Sequence, residues 1–324
     1  MLSAGLALFG AVVYGAADFF GGLAAKRLRS IVVTAASAAS GLFFLALLLP
    51  FVGGSWTAAD LAWGAVAGAF GVIAIALLYA CLAIGPMSIL SPLTAVVSAI
   101  APMLWGLFVN GETLSATGYL GLGVALVAVV LVGFIPGERV VRPSIRGLIM
   151  AIGAGLAIGA FLIAIDQTSS ESGLVPLVMT RATNIAITAV IIGVLVIRAL
   201  STGRRAASVL EVAGVAIGAT PTGHADLEHA VLEQTATAQK IGIPSSRNRA
   251  WVLAFVCGVV DAAANALMLL ALRIGDLSIV SALTALYPAG TIILAAVVLK
   301  ERVGAVQWAG LALALIAGGM LALA

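Results

Sequence analysis

The segment ALLYACLAIGPMSILSPLTA at residues 76–95 recurs in altered form as ALMLLALRIGDLSIVSALTA at residues 266–285. Eleven of the twenty paired positions are identical at a constant offset of 190 residues, which indicates an internal repeat. Both copies lie in strongly hydrophobic sequence, so the repeated unit is predicted to lie in a membrane. Repeated membrane halves of this kind are a common architecture of transport proteins.

The composition predicts a protein that crosses the membrane many times. Hydrophobic residues make up 63% of the chain and charged residues 9%, far from the usage of soluble domains. Apolar runs long enough to span a bilayer recur at residues 3–25, 31–52, 61–84, 88–109, 115–135, 145–165, 174–198, 250–272, 277–299 and 303–323. Backbone polar groups must be paired within lipid, so these runs must be helices. We therefore predict an all-α integral membrane protein with ten transmembrane helices.

The two copies of the repeat divide the chain into halves. The first half is predicted to cover residues 1–136 and the second residues 145–324, each with five helices. An odd number of spans inverts the second copy relative to the first, so the halves are predicted to be inverted repeats. A polar insert at 199–249 interrupts the second half and has no counterpart of similar length in the first.

Basic residues are concentrated on one predicted face of the membrane. Fourteen of the sixteen Lys and Arg residues fall in loops of the face that carries the insert, and one, Arg273, falls on the opposite face. The positive-inside rule places the basic face in the cytoplasm, so both termini are predicted to lie outside. The same distribution accounts for the excess of basic residues, and nucleic acid is not expected as a partner.

The closing blocks of the two halves resemble the drug/metabolite transporter superfamily, specifically its EamA-type branch. These blocks, 91–133 and 281–322, each combine a small polar start, an acidic turn residue (Glu112 or Glu301) and an aromatic-x-Gly entry into the last helix. Arg181 also matches a basic position common in the family. The resemblance implies a multi-pass transporter of the cell membrane that moves a small polar metabolite or drug-like compound by alternating access, with export favoured. It also implies cytoplasmic termini, opposite to the orientation that the charges predict.

Three ionisable residues lie well inside predicted spans: Asp18, Arg181 and Asp261. Each such residue costs about 2.5–3.5 kcal/mol at a helix centre, so these side chains usually face the bundle interior or a water-filled cavity. One interpretation is an internal ion pair between Arg181 and an aspartate that only holds helices together. The other is substrate recognition or proton coupling. None of the three charges has a charged counterpart in the opposite half, and Arg181, for example, aligns with Ser37.

Polar side chains at helical spacing accompany these charges. Tyr14 precedes Asp18 by four residues, and Asn265 follows Asp261 by four residues. The predicted substrate- or ion-binding residues are Asp18, Tyr14, Arg181, Asp261, Asn265, Thr94, Thr284 and Tyr287. Hydroxyl groups in membrane helices also commonly form helix–helix hydrogen bonds, and that alternative stays open for each threonine. The specific hypothesis is that Asp18 is the proton-coupling or substrate-cation site, with Asp261 and Arg181 orienting the substrate or balancing charge.

Two other classes of protein remain as alternatives. An integral membrane enzyme acting on lipid would need clustered catalytic side chains at the membrane interface, whereas both histidines, His224 and His229, lie in the insert. A passive channel for small solutes is the other alternative. No ATP-binding, metal-ligand or nucleophile motif stands out, so we expect no cofactor, no metal, no catalytic residues and a dependence on ion gradients or exchange. The expected partners are a small-molecule substrate and the lipid bilayer, and self-association is compatible with the sequence but not required.

Overall fold

Helices form the regular structure of the chain, as its computed structural model shows. The structure describes residues 1–25, 27–84, 87–133, 144–203, 205–209, 247–298 and 304–323. These ranges contain no β-strand, in agreement with the predicted all-α fold. The predicted boundary between the halves (134–143), most of the insert (204 and 210–246) and Glu301 lie outside the described residues.

The described residues form eleven α-helices and two short 3₁₀-helices. The helices of the first half are α1 (Leu2–Ala25), α2 (Ser30–Val52), α3 (Ala58–Ile84), α4 (Met87–Phe108) and α5 (Ala116–Val132). Those of the second half are α6 (Ile145–Asp166), α7 (Val175–Ser201), α8 (Arg247–Ile274), α9 (Leu277–Thr284), α10 (Tyr287–Val298) and α11 (Ala305–Ala322). The 3₁₀-helices are Ser170–Ser172 and Ala206–Val209.

Eight helical stretches of the described chain are long and apolar enough to cross a membrane. They lie in α1, α2, α3, α6, α7, α8, the α9–α10 segment (Leu277–Leu294) and α11. Two further apolar stretches are shorter, Leu93–Phe108 and Ala116–Val132. The second of these has 17 residues, or about 26 Å of helix against a hydrocarbon core of about 30 Å. The structure is consistent with an α-helical integral membrane protein, while the count of ten spans remains a prediction.

The predicted ninth span, 277–299, is not a continuous helix. It divides into α9 and α10 at Ala285–Leu286, just before Pro288 in the first turn of α10. Proline lacks a backbone N–H and its ring clashes with the carbonyl four residues earlier, so a helix cannot pass undisturbed through this point. Pro102 in the first half lies within α4, which continues without a break.

Helices of the two halves pack against each other in a regular pattern. α1 packs against α8 and α10, and α6 packs in the corresponding way against α3 and α4. α2 contacts α7 and α8, while α7 contacts α2 and α3. α5 packs against α11, and α4 against α9. These principal contacts map onto one another when α1, α2, α3, α4 and α5 are exchanged with α6, α7, α8, α9–α10 and α11, respectively.

Glycines permit several of these helix pairs to approach closely. A Cβ atom on Gly64 would lie 2.6 Å from the Pro176 carbonyl oxygen, and one on Gly155 would lie 2.7 Å from the Thr94 carbonyl oxygen. A Cβ on Gly15 of α1 would lie 2.6 Å from the Tyr287 carbonyl oxygen of α10. Membrane helices pack mainly through such close contacts, because lipid supplies no hydrophobic driving force between helices. Gly64 and Gly155 therefore lie at points of close helix contact.

The crossing of α1 and α10 provides a test of this packing. We expect Gly15→Ala to destabilise the protein by about 1–3 kcal/mol, because the added methyl group meets backbone atoms that cannot move independently. Gly5→Ala, on the same helix, is the matched control, since a Cβ there has no neighbour within 4 Å. Thermal unfolding of both variants in detergent measures the difference. Equal melting temperatures would contradict the close contact.

The loop between α6 and α7 is hydrogen-bonded to α3 and α8 on one face of the bundle. Asp60 at the start of α3 accepts hydrogen bonds from the Ser169 backbone N–H (2.7 Å) and from the Ser169 hydroxyl (2.9 Å). Arg273 near the end of α8 donates to the Thr168 hydroxyl (2.6 Å) and to the Ser172 hydroxyl (3.1 Å). These five residues form a polar clamp on the predicted outer face. The clamp ties the loop to helices from both halves.

Glu112, one of the two acidic turn residues noted in the sequence, holds the N-terminus of α9. Its carboxylate accepts hydrogen bonds from the backbone N–H groups of Leu277 (2.8 Å) and Ser278 (3.0 Å). These N–H groups have no intrahelical partner, and a negative charge at a helix N-terminus is also favoured by the helix dipole. Asp276 precedes α9 but its side chain forms no capping bond there. Burial and the nearby Glu112 raise the pKa of Asp276 above its usual value.

We expect Glu112→Gln to destabilise the protein by about 1–2 kcal/mol, because the charge that caps α9 is lost. Glu171→Gln is the control, since Glu171 is an exposed acidic residue of the same face whose contact is made by its backbone carbonyl. Melting temperatures of the two variants provide the measurement. A larger loss in Glu171→Gln than in Glu112→Gln would contradict the capping role.

Candidate binding site between the halves

Arg181 and Asp261 form an ion pair in the interior of the bundle. Nη2 of Arg181 on α7 donates to Oδ2 of Asp261 on α8, and the two side chains are 3% and 0% exposed. An internal ion pair between Arg181 and an aspartate was one interpretation of the sequence, and this pair is present. Desolvating two charges costs several kcal/mol each, and their attraction offsets this only when geometry and additional hydrogen bonds are favourable. Asp261 Oδ1 has no hydrogen-bond partner among the described residues, so this compensation is incomplete.

A small cavity adjoins the ion pair. Its polar lining consists of Thr180, Arg181 and Asn184 from α7 and Asn265 from α8. The Asn184 side chain is almost fully buried, and its Oδ1 is unpaired within the part of the chain that the structure describes. The Asn265 amide donates to the Asp261 backbone carbonyl at 2.8 Å. We call this space the Arg181 cavity.

A second cavity lies beside the first. It is lined by Tyr14, Ser98, Met268 and Tyr287, among others, and therefore by helices of both halves. The Tyr14 hydroxyl donates to the Met268 sulfur at 3.5 Å. We call this space the Tyr14 cavity.

Phe161 and Ile158 of α6 line both cavities, so they form the partition between them. Thr284 also lines the Tyr14 cavity, and its hydroxyl is buried without a hydrogen-bond partner in the described ranges. Each cavity thus presents at least one buried polar atom that a bound molecule would satisfy.

The predicted site residues divide among several places. Arg181 and Asn265 line the first cavity, while Tyr14, Thr284 and Tyr287 line the second. Asp261 lines neither cavity, but it forms the ion pair with Arg181, which lines the first.

Two predicted residues lie elsewhere. Asp18 is buried in α1 but is not part of the lining of either cavity. The Thr94 hydroxyl donates to the carbonyl of Leu90 on its own helix (3.0 Å) and to that of Ala151 on α6 (3.2 Å). This arrangement is the helix–helix hydrogen bond that the sequence had left open as an alternative.

The two halves use the positions related to Arg181 differently. Ser37, its counterpart on α2, donates to the Ala254 carbonyl of α8 at 3.0 Å. A Cβ atom on Gly41, one turn further along α2, would lie 3.4 Å from Arg181 Nε. The second half therefore has a charged residue, Arg181, at this position. In the first half, Ser37 forms a helix contact and Gly41 leaves room for the Arg181 side chain.

Sequence reasoning missed Asn184, Phe161 and Met268. Asn184 follows Arg181 by three residues and so shares its helix face. This spacing in the sequence could have identified Asn184 as a candidate site residue. Phe161 and Met268 lie in uniformly apolar spans, where nothing distinguishes a cavity-lining side chain from a packing one.

The fold and the buried charged site define a helical, multi-pass membrane protein with internal cavities between its halves. The sequence profile of the EamA-like transporter family, which is part of the drug/metabolite transporter superfamily, matches residues 235–323 of the chain. The resemblance predicted from the closing blocks is thereby confirmed. Members of this family are generally transporters of small solutes.

The fold is also shared with a protein of known structure. A solved structure described only as "Crystal structure of protein" superimposes with a TM-score of 0.68 and is 13% identical in sequence. The match covers 99% of this chain and 98% of the other. At this identity the likeness concerns the fold alone. Among curated proteins, no sequence matches the chain.

Proposed function

We propose that the chain is a secondary active transporter that moves a small polar metabolite or drug-like compound across the cell membrane by alternating access. The observation that carries this proposal is the buried Arg181–Asp261 pair beside a cavity, with unsatisfied acceptor atoms on Asp261 and Asn184. Charges that cost free energy within a membrane usually mark a transport pathway. The family match supports the same class of function.

The helix pairing supports ten spans arranged as two inverted repeats of five. Exchange of the halves maps the α1–α8 contact onto α6–α3 and the α2–α8 contact onto α7–α3. The loops after α2, α4, α6 and α8 are joined by hydrogen bonds such as Asn110 to Asp166 (3.1 Å), as expected if successive helices cross in alternate directions. A two-fold scaffold of this kind lets one bundle rock against the other around a central site.

Closure on one face supports alternating access. The polar clamp and the cap on α9 join the loops of the predicted outer face. Gly54 and Gly173 have positive φ angles of 148° and 50°, and a Cβ on either would clash with the backbone of the other loop. A conformation sealed on this face is one of the two end states that the mechanism requires, and its opening would break these contacts.

Export is the proposed direction, with coupling to an ion gradient through Asp18. Asp18 is buried in α1, and the residue that aligns with it in the second half is apolar. The repeat between the halves therefore does not explain an acidic residue at this position. Arg181 and Asp261 would then orient the substrate or balance its charge. An integral membrane enzyme and a passive channel remain the alternatives.

Counterflow in proteoliposomes tests the proposal. The purified protein is loaded with one unlabelled compound from a panel of amino acids, nucleosides, sugars and cationic drugs, and entry of the labelled compound is followed with and without a pH gradient. Saturable counterflow that Arg181→Met abolishes supports a transporter. Conduction that neither saturates nor shows counterflow would indicate a channel, and chemical conversion of the compound an enzyme.

The orientation of the chain is open to a direct test. The basic loops predict that both termini face outward and that the 199–249 insert is cytoplasmic, while the family resemblance implies the reverse. In a background without Cys81 and Cys257, we expect a cysteine at position 1 to react with an impermeant thiol reagent on intact cells. A cysteine in the insert should react only after permeabilisation. The opposite result would establish cytoplasmic termini.

A further inference from the structure

We propose that Arg273 and Glu112 are the two latches of a gate on the face of the polar clamp. They hold two groups of helices together on this face, and their contacts break when the interior site opens to it. This inference rests on the proposed function, because a gate has a role only if the site is exposed to each side in turn. It adds the residues that control one step of that cycle.

Helix packing divides most of the bundle into two groups, each with helices from both halves. In the α1–α8 group (α1, α2, α8, α9 and α10), α1 packs against α8, α9 and α10, and α2 packs against α8. In the α3–α6 group (α3, α4, α6 and α7), α3 packs against α6 and α7, and α4 packs against α6. The main contacts between the groups are α2 with α7 and α4 with α9, which are pairs of counterpart helices. Exchange of the halves therefore converts one group into the other.

Close backbone contacts occur within each group. A Cβ atom on Gly258 of α8 would clash with the Ser37 backbone of α2, and one on Gly68 of α3 would lie 2.8 Å from the Thr180 carbonyl oxygen of α7. The close helix contacts described above also join helices of a single group. Packed interfaces of this kind shift as units and do not deform continuously. Each group is therefore expected to move as one body.

Polar side chains cross between the two groups on the face of the clamp. Arg273 of α8 donates to the hydroxyl groups of Thr168 (2.6 Å) and Ser172 (3.1 Å) in the loop that joins α6 to α7. Glu112, in the turn after α4, accepts hydrogen bonds from the first two backbone N–H groups of α9. The first latch thus links α8 to the α3–α6 group, and the second links that group to α9.

The latches lie between the loop face and the buried ion pair. Arg181 of α7 and Asp261 of α8 join the same two groups in the interior. On α8, Arg273 lies twelve residues after Asp261, or about 18 Å along the helix. Hydrogen bonds at the loop face can be replaced by bonds to water when the groups separate, so their net cost of breaking is modest. Such contacts suit a junction that must open repeatedly.

Other hydrogen bonds on this face stay within one group. The bond from the Ser169 hydroxyl to Asp60 (2.9 Å) joins the α6–α7 loop to α3, and both belong to the α3–α6 group. The bond from the Ser55 N–H to the Glu171 carbonyl oxygen (2.8 Å) involves the loop that leads directly into α3. These contacts can persist when the groups separate, so they provide controls for the latches.

A cysteine in place of Ser281 reports the separation of the groups. Ser281 lies in α9 one turn beyond its capped N-terminus, is 1% exposed, and lines the Tyr14 cavity. In a background without Cys81 and Cys257, the rate at which Ser281→Cys reacts with a thiol reagent is measured on the purified full chain in detergent. Both faces are accessible there, so the result does not depend on the orientation of the chain in a membrane.

Arg273→Met should raise this labelling rate by about tenfold, because loss of the bonds that hold the groups together increases the population of the open state. Glu112→Gln should also raise it, because the second latch is weakened. Arg273→Met leaves the cap of α9 intact, so its effect cannot come from fraying of the helix that carries the reporter.

Two serines of the α6–α7 loop provide a matched pair of variants. Ser172→Ala removes an acceptor for Arg273 between the groups, whereas Ser169→Ala removes a donor to Asp60 within one group. We expect Ser172→Ala to raise the labelling rate about threefold and Ser169→Ala to leave it unchanged. This pair provides the test even if Arg273→Met does not fold.

Two results would overturn the inference. One is a labelling rate that neither Arg273→Met nor Ser172→Ala changes, and the other is an equal rise in Ser169→Ala, which would indicate a general loosening of the loop. Failure of the proposed function is distinguishable, because labelling requires no substrate. A chain that is labelled as expected but shows no counterflow would retain the two latches and lose the transporter assignment.

Discussion

Arg181→Met and Asp261→Leu should each destabilise the protein by about 3–5 kcal/mol, because each leaves an uncompensated buried charge. The double variant removes both charges and should recover most of the lost stability, since a well-packed apolar pair often replaces a buried ion pair without loss. Transport should nevertheless be absent from all three variants. Thermal unfolding and counterflow, measured on the same preparations, separate the structural role of the pair from its role in transport.

Arg198→Met is the matched control for this experiment. It changes the same residue type on the same helix, but Arg198 is exposed near the end of α7. Stability and transport should both stay close to those of the unmodified protein. A double variant that transports as well as the unmodified protein would show that the pair only holds α7 against α8.

Asp18→Asn should abolish gradient-driven accumulation while sparing folding and exchange. The amide keeps the shape of the side chain but cannot bind and release a proton, so the coupled step is lost while the substrate site remains. Accumulation under an imposed pH gradient and exchange without a gradient are the two measurements. The expected pattern is accumulation reduced to the level of protein-free vesicles, with exchange retained.

Asp166→Asn is the matched control for Asp18. Asp166 ends α6, the counterpart of α1, and its carboxylate contacts Asn110 at the loop face rather than within the bundle. This variant should accumulate substrate normally. If Asp18→Asn also accumulates substrate with an unchanged pH dependence, Asp18 is a packing residue and Asp261 becomes the better candidate for coupling.

The helical fold was predictable because lipid permits few alternatives. Apolar runs of sufficient length must be helical in a bilayer, and the repeat at offset 190 related the two halves. The break between α9 and α10 was less predictable. Pro102 and Pro288 are both prolines within predicted spans, yet only the second adjoins a break. The outcome depends on which neighbouring groups satisfy the freed backbone atoms, and that is a property of the packed bundle.

The site was predictable in its charges but not in its partners. Arg181 and Asp261 are identified by the cost of placing them in lipid, but they are 80 residues apart and only tertiary structure brings them together. The acidic turn residue Glu112 was recognisable as a family feature, whereas its role as the cap of a helix 165 residues away was not. Phe161, which separates the cavities, is chemically unremarkable in its span.

The packing of α1 has a consequence for how the chain is assembled during synthesis. Its principal partners, α8 and α10, begin at Arg247 and Tyr287, so α1 leaves the ribosome on the order of ten seconds or more before they exist. The helix that carries Asp18 must therefore wait in the bilayer without the surface that later buries it. By contrast, α6 finds α3 and α4 already inserted. α1 is thus among the last helices to reach its final packing. It is also the helix proposed to couple transport to the gradient, and the nascent protein needs the insertion machinery longest for this helix.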